Sequence, residues 1–311
     1  MLRVLYWRAA EAKMSREPKP TSKHFLDINK IDESELRNIL ALGAALKSSE
    51  NPPPKPMVGR TLVMIFEKPS TRTRVSFQVG MLQLGGMVVT MDDSDSQLGR
   101  GETIADTAQV LSRYANIVMI RTDDHQKLLD LAEHASVPVI NGLTDFSHPC
   151  QIMADIMTFE EHRGNIAGRT VAWTGDGNNV SHSWIHAAAK FKFTLRLACP
   201  ASLQPSNKVI EESRAAGATV IMAETPAEAV SGADLVVTDT WASMGTENAE
   251  ERRQALLPFQ VNDALMEKAA TDALFMHCLP AHRGNEVVDT VIDGPQSVIW
   301  DEAENRLHAQ K

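Results

Sequence analysis

Short apolar runs recur along the chain, each followed by a longer stretch whose apolar positions fall at helical spacing. Runs at 61–66, 87–91, 116–121 and 137–141 predict strands, with helices over 71–84, 103–114 and 124–135 between them. Residues 32–47 add an amphipathic helix ahead of this series, behind the capping candidates Asn29 and Asp32, and the proline-rich segment 51–57 reads as loop. A long helix is expected from Pro149 to about His162. A second series follows it, with strands Thr170–Thr174, Thr194–Ala198, Thr219–Met222, Leu235–Thr238 and 274–278. Its helices fall near 179–191, 206–215, 226–231 and 261–269, and a polar helix at 303–310 is placed to cross back to the first series.

Such alternation predicts an α/β fold: two doubly wound parallel-sheet domains joined by a bridging helix. The expected division is a tail at 1–20, a first domain at 21–150 with the C-terminal helix 295–311 added to it, and a second domain at 151–294. Within the tail, Met14 is a second possible start, and 1–13 is weakly amphipathic and basic without the apolar core of a secretion signal. Only 92–101 and 241–258 are long enough to suggest mobile lids. In open parallel sheets ligands bind beyond the carboxyl ends of the strands, so the chemistry is sought there.

Composition narrows the field. A chain of 311 residues with 43% apolar and 23% charged residues suits two ordinary soluble domains. A net charge of −9 without a basic tract argues against nonspecific nucleic-acid binding, so an anionic ligand needs a local positive pocket. Cys150, Cys199 and Cys278 are too few and scattered for a disulfide framework or a zinc ribbon, which points to a reducing cytoplasm. No run approaches the ~20 apolar residues of a membrane helix.

The positive pocket is written at 70–74, Ser-Thr-Arg-Thr-Arg, between the first strand and its helix. Open N–H groups at a helix start bind anions. Ser70, Thr71 and Thr73 add hydroxyl donors, and Arg72 a planar fork for paired phosphate oxygens. Arg74 points elsewhere, since two residues turn a helix by ~200°, and is read as a structural ion-pair partner. Arg121 closes another strand at the same sheet end. His148, Pro149 and Gln151 open the bridging helix, with proline suited to its first position. Taken singly, these read equally well as helix caps and surface charges.

In the second series, Gly175-Asp176-Gly177-Asn178-Asn179 invites a dinucleotide reading. The third glycine is missing, however, and no acidic residue closes the next strand, which ends Ala198-Cys199-Pro200. Asp239 ends another strand in Asp-Thr-Trp-Ala-Ser-Met-Gly, and Cys278 sits in His-Cys-Leu-Pro-Ala-His-Arg-Gly.

These strings together resemble the aspartate/ornithine carbamoyltransferase family. Ser-Thr-Arg-Thr-Arg and His-Pro-Cys-Gln match its two carbamoyl-phosphate motifs, while 239–245 resembles the substrate loop of its ornithine-using members. The match runs from Phe25 to Arg306 in family order. It implies ornithine carbamoyl transfer, giving citrulline and phosphate, in arginine biosynthesis, without metal or organic cofactor. By that resemblance Ser70, Thr71, Arg72, Thr73, Gln97, Arg121, His148, Gln151, Cys278, Leu279 and Arg306 bind carbamoyl phosphate. Asn179, Asp239, Ser243, Met244, Cys278 and Leu279 hold ornithine, and Arg283 steadies the carbamoyl region. Arg72, Arg121, His148, Asp239, Cys278 and Arg283 are the expected catalytic set. Gln97 is expected to reach a neighbouring subunit's site in a homotrimer or trimer multiple, with no nucleic-acid or membrane partner. Another amine acceptor, or a binding paralogue without turnover, is the alternative.

Overall fold

Glu33–Ser48 is helix α1, which buries Leu36 and Leu40 and leaves Leu42 exposed. The computed structural model describes residues 23–48, 55–92, 101–241 and 249–311. After α1 come β1 (Thr61–Phe66), α2 (Thr71–Gln83), β2 (Met87–Asp92), α3 (Ile104–Tyr114), β3 (Ile117–Arg121), α4 (His125–His134) and β4 (Val139–Leu143). The strands form one parallel sheet in the order β2-β1-β3-β4. Because side chains alternate along a strand, β1 fills two cores at once. Val63 and Ile65 pack with α3 and α4, while Leu62, Met64 and Phe66 pack with Phe77 and Met81 of α2.

Helix α5 (Pro149–Arg163) then leaves the first sheet, and residues 149–159 are all buried, as befits a helix enclosed on every side. The second sheet arises from β5 (Thr170–Thr174), α6 (Asn179–Phe191), β6 (Thr194–Ala198), α7 (Asn207–Ala215), β7 (Thr219–Met222), α8 (Pro226–Val230) and β8 (Leu235–Thr238). The chain ends through α9 (Ala249–Leu256), α10 (Asp263–Met266), β9 (Leu274–His277), α11 (Asp289–Ile292) and α12 (Ile299–Gln310). All five strands are parallel, in the order β7-β6-β5-β8-β9. Helix α12 crosses back and packs on α5, α2 and α1.

The strand starting near 137 begins at Val139, just after Pro138, which has no N–H for a ladder. The final helix starts earlier than expected, at Ile299, and the helix expected over 261–269 contracts to α10. Part of the loop expected at 241–258 is the helix α9, and α11 was not anticipated at all.

Both sheets reverse winding direction at their centre, between β1 and β3 and between β5 and β8. Such switch points open crevices at the carboxyl ends. Ser70 follows β1, Arg121 ends β3, Gly175 follows β5, Asp239 follows β8 and Cys278 follows β9.

Candidate functional site

The first half of the site is cationic. Helix α2 starts at Thr71 with Ser70 at its cap position, and the Ser70 hydroxyl makes no capping bond, which leaves the helix start open. The Thr73 hydroxyl, one turn in and 1% exposed, accepts from Arg121 Nη1 and from Arg306 Nη2, both at 3.2 Å. Two guanidiniums from different elements thus converge on one oxygen. The Arg72 guanidinium has no hydrogen bond or ion pair among the described residues, its carbonyl alone accepting from Ser76 Oγ at 2.7 Å, whereas Arg74 turns away, pairing with Asp92 and stacking on Phe66 at 4.7 Å. Burial, helped by the charges of Arg306 and Arg72, draws the Arg121 guanidinium down to about 10. Burial likewise lowers Arg306, with Arg72 adding repulsion. Arg121 Nε and Arg306 Nε are buried without a partner. Crowded cations with unused donors form a receptacle for an anion.

His148 caps α5, and its own N–H donates to Ser183 Oγ at 2.7 Å. Burial, then the charges of Arg306 and Arg121, hold its imidazole well below the usual range, so it is neutral at pH 7. Its Nδ1 is buried and unpartnered. Gln151, one turn on, accepts from Arg306 Nη1 at 2.6 Å through its carbonyl oxygen. Its amide nitrogen donates to Asp155 Oδ1 at 2.7 Å and to Glu302 Oε1 at 2.9 Å.

The second half of the site is acidic and lies at the ends of β5, β8 and β9. Asp239 Oδ2 accepts from Asn178 Nδ2 at 2.7 Å, and its Oδ1 accepts from the Cys278 thiol at 3.1 Å. Burial and the neighbouring Asp239 and Glu302 carboxylates raise the Cys278 thiol well above its ordinary value, so it remains a protonated donor. Leu279 has φ +56, a left-handed conformation costly for a leucine, and its N–H donates to His277 Nδ1 at 2.9 Å. Asn178 caps α6 by accepting from Val180 and Ser181 N–H groups. Asn179 reaches the other sheet, donating to the Thr144 carbonyl at 2.7 Å. At Gly177 a side chain would lie 2.2 Å from the Pro205 nitrogen, so the backbone of 203–205 fills the space that a dinucleotide's phosphates would need.

Arg283 is not gathered into the site. Its guanidinium turns outward to Asp289 of α11 at 2.7 Å and to Asp293 at 2.5 Å, and its side chain is 40% exposed. Gln97, Ser243 and Met244 lie outside the described residues. Two groups that the sequence reading missed are Asp155 and Glu302. Their signal was spacing: each lies four residues from a named residue, Gln151 or Arg306, on one helical face. Arg252 was also missed; it donates to the Trp241 carbonyl at 2.8 Å and pairs with Asp176, tying α9 to the loop after β5. Among the described residues Asp239, His277 and Cys278 bring possible metal donors within 4.8 Å of one another. All three are already engaged: His277 Nε2 faces Glu286 Oε1 at 3.2 Å, its Nδ1 accepts from Leu279, and the thiol is bound to Asp239.

Comparison with known proteins also splits the chain in two, with Arg306 in the second match. Residues 23–161 match the family model described as aspartate/ornithine carbamoyltransferase, carbamoyl-P binding domain, and 167–311 match the Asp/Orn binding domain of that family. The chain is 60% identical over 296 residues to an ornithine carbamoyltransferase of Rhodopseudomonas palustris, covering 93% of this chain and 95% of that one. The solved ornithine carbamoyltransferase of Pyrococcus furiosus is 49% identical with a TM-score of 0.89, over 93% of this chain and 95% of that one. That of Burkholderia thailandensis is 47% identical with a TM-score of 0.85, over 92% and 95%.

Proposed function

Because the chain belongs to the aspartate/ornithine carbamoyltransferase family, we propose that it moves the carbamoyl group of carbamoyl phosphate to the δ-amine of L-ornithine, giving L-citrulline and phosphate. The observation that carries this reading is the pairing of two opposite sites. Arg72, Arg121 and Arg306 crowd round Thr73 at the ends of β1 and β3, and Asp239 with Cys278 waits at the ends of β8 and β9. An anionic donor fits the first and a cationic amine the second.

In this reading Ser70, Thr71, Arg72, Thr73 and the α2 start hold the phosphate. Thr73 accepts from two arginines and keeps its own hydrogen to donate. Arg121, Thr73 and neutral His148 polarise the carbamoyl oxygen, and the second lone pair of the Gln151 carbonyl accepts from the carbamoyl NH₂. Asp239, Cys278, Leu279, Asn179, Ser243 and Met244 bind ornithine. Its δ-ammonium loses a proton to water, the amine forms the C–N bond, the C–O bond to phosphate breaks as its electrons pass to the leaving oxygen, and the second proton shed by the attacking nitrogen passes to the departing phosphate. The carbonyl oxygen, charged meanwhile, lies against Arg121 and His148. Arg283 takes no part.

We assign the first domain to 21–150 with 295–311 and the second to 151–294, since α12 packs against α2 and α1 of the first. The synthetic direction, toward arginine, suits a mixed anhydride attacked by an amine, because the ureide product is the poorer electrophile. A cytoplasmic setting suits Cys150, Cys199 and Cys278, which are all free. No helix among the described residues is long and apolar enough to cross a membrane. A homotrimer or its multiple, with Gln97 shared between subunits, follows from the resemblance, and a sizing column checks it. The deciding experiment is a citrulline colour assay with ornithine beside aspartate, putrescine and acetylornithine. Turnover only with ornithine is expected; absence of citrulline from folded protein rejects the proposal.

A further inference from the structure

Asp155 of α5 and Glu302 of α12 are each 1% exposed, and the transfer chemistry above gives them no role. Isolated carboxylates at such burial are costly, so their presence calls for a reason. They flank one atom, the Gln151 amide nitrogen. Between them they take both hydrogens of the Gln151 amide nitrogen, at 2.7 and 2.9 Å, and the other Glu302 oxygen accepts the His277 N–H at 2.9 Å. His277 ends β9, directly before Cys278. On its far side Gln151 meets Arg306, and Arg306 meets Thr73. A continuous chain of buried hydrogen bonds therefore runs from the amine-binding strand end to the anion receptacle.

A carboxamide has two orientations, related by a half-turn, that fill nearly the same space. Only one suits the reaction, because Arg306 and the carbamoyl NH₂ both require an acceptor. We propose that Asp155 and Glu302 are positioning residues for carbamoyl transfer: by claiming both hydrogens of the Gln151 amide, they hold its carbonyl oxygen toward Arg306 and the carbamoyl group. This rests on the function proposed above.

The charge state of the pair fits that task. Burial pushes Asp155 up to about 7, and burial with the adjacent Asp155 charge holds Glu302 well above the usual carboxylate range. Two buried carboxylates on one amide nitrogen keep one proton between them at neutral pH. A single negative charge remains, enough to offset Arg306 without drawing it from the anion.

Two isosteric variants separate this from a merely structural role. In Asp155→Asn the new carbonyl oxygen still accepts from Gln151, so the acceptor on that side is kept. In Glu302→Gln one acceptor oxygen must serve two N–H groups, those of Gln151 and His277, so Gln151 is released. Steady-state kinetics and calorimetric titration with carbamoyl phosphate are measured on wild type and both variants, with thermal unfolding to show that each is folded. Asp155→Asn is expected to stay within about threefold of wild type, the effect of one weakened neutral hydrogen bond. Glu302→Gln is expected to lose about 100-fold in kcat/KM for carbamoyl phosphate, as a misplaced catalytic contact does. Its carbamoyl-phosphate affinity is expected to fall about tenfold, with the ornithine KM unchanged. Folded Glu302→Gln with normal kcat and affinity overturns the proposal, as does Asp155→Asn damaged to the same degree. Should Glu302→Gln not fold, Asp155→Ala removes an acceptor from the other side and is read in the same way. A wild type that makes no citrulline rejects the catalytic reading alone, and the ratio of affinities still decides this one.

Discussion

Thr73 is the point where the cations of β3 and α12 meet, and replacing it measures what that meeting is worth. Thr73→Val exchanges the hydroxyl for a methyl of similar size, which removes the shared acceptor of Arg121 and Arg306. A hydrogen bond to a charged partner contributes about 1.5–3 kcal/mol. Both bonds measure 3.2 Å, at the long end of the usual range, so the lower figure applies to each. With Thr73 1% exposed, water does not replace the lost acceptor, and the expected destabilisation is about 3 kcal/mol. In a protein of this size that lowers Tm by about 5 °C. Thr73→Ser is the control, since it keeps the hydroxyl and loses one buried methyl, at a cost of about 1 kcal/mol. Differential scanning fluorimetry without ligand orders the three proteins. Val as stable as wild type, or Ser harmed more than Val, would refute the claim that this hydroxyl holds the arginines together.

Arg121→Ala removes a preorganised donor to the carbamoyl oxygen, so turnover should fall by at least about 100-fold in a folded protein; steady-state citrulline formation tests this, and Arg72→Ala should behave alike. The rate should rise with pH into the alkaline range, since a free aliphatic amine has a pKa near 10.4 and attacks only when deprotonated. His148 adds no neutral-pH limb of its own: its lowered pKa leaves it uncharged above the acid range, so a pH–rate profile falling between pH 7 and 9 would contradict the mechanism. Arg283→Ala should leave kcat and both KM values near wild type, because its guanidinium is held at the surface by Asp289 and Asp293; a large loss of turnover would return it to the site.

The central strands were legible because each is a short, largely buried apolar run, and even the edge strands β2 and β7, which expose Met87, Val89 and Ile221, keep the apolar pattern; five of the nine described strands match the expected limits residue for residue. The receptacle was legible too: Ser70 to Thr73 are contiguous, and a strand followed by a helix start leaves little choice of geometry. What stayed hidden depended on partners far along the chain. Gln151 meets Glu302 across a separation of 151 residues, and nothing local announces which face of its amide is fixed. The outward turn of Arg283 was hidden because a string shows a residue's neighbours but not which way its side chain leaves the turn, and the two aspartates that draw it outward lie six and ten residues later. Helix α9 escaped notice because its sequence, Ala-Glu-Glu-Arg-Arg-Gln-Ala-Leu, has no apolar stripe, and it is held instead through Arg252.

Arg306 meets Thr73 across a separation of 233 positions of the chain. During synthesis the N-terminal sheet therefore emerges from the ribosome long before the guanidinium that completes its own receptacle. Its strands and helices can assemble early, but carbamoyl phosphate can be gripped in full only after the second domain has been translated and α12 has docked. Loss of this helix to a nonsense codon or a protease would silence the enzyme while leaving most of both sheets intact.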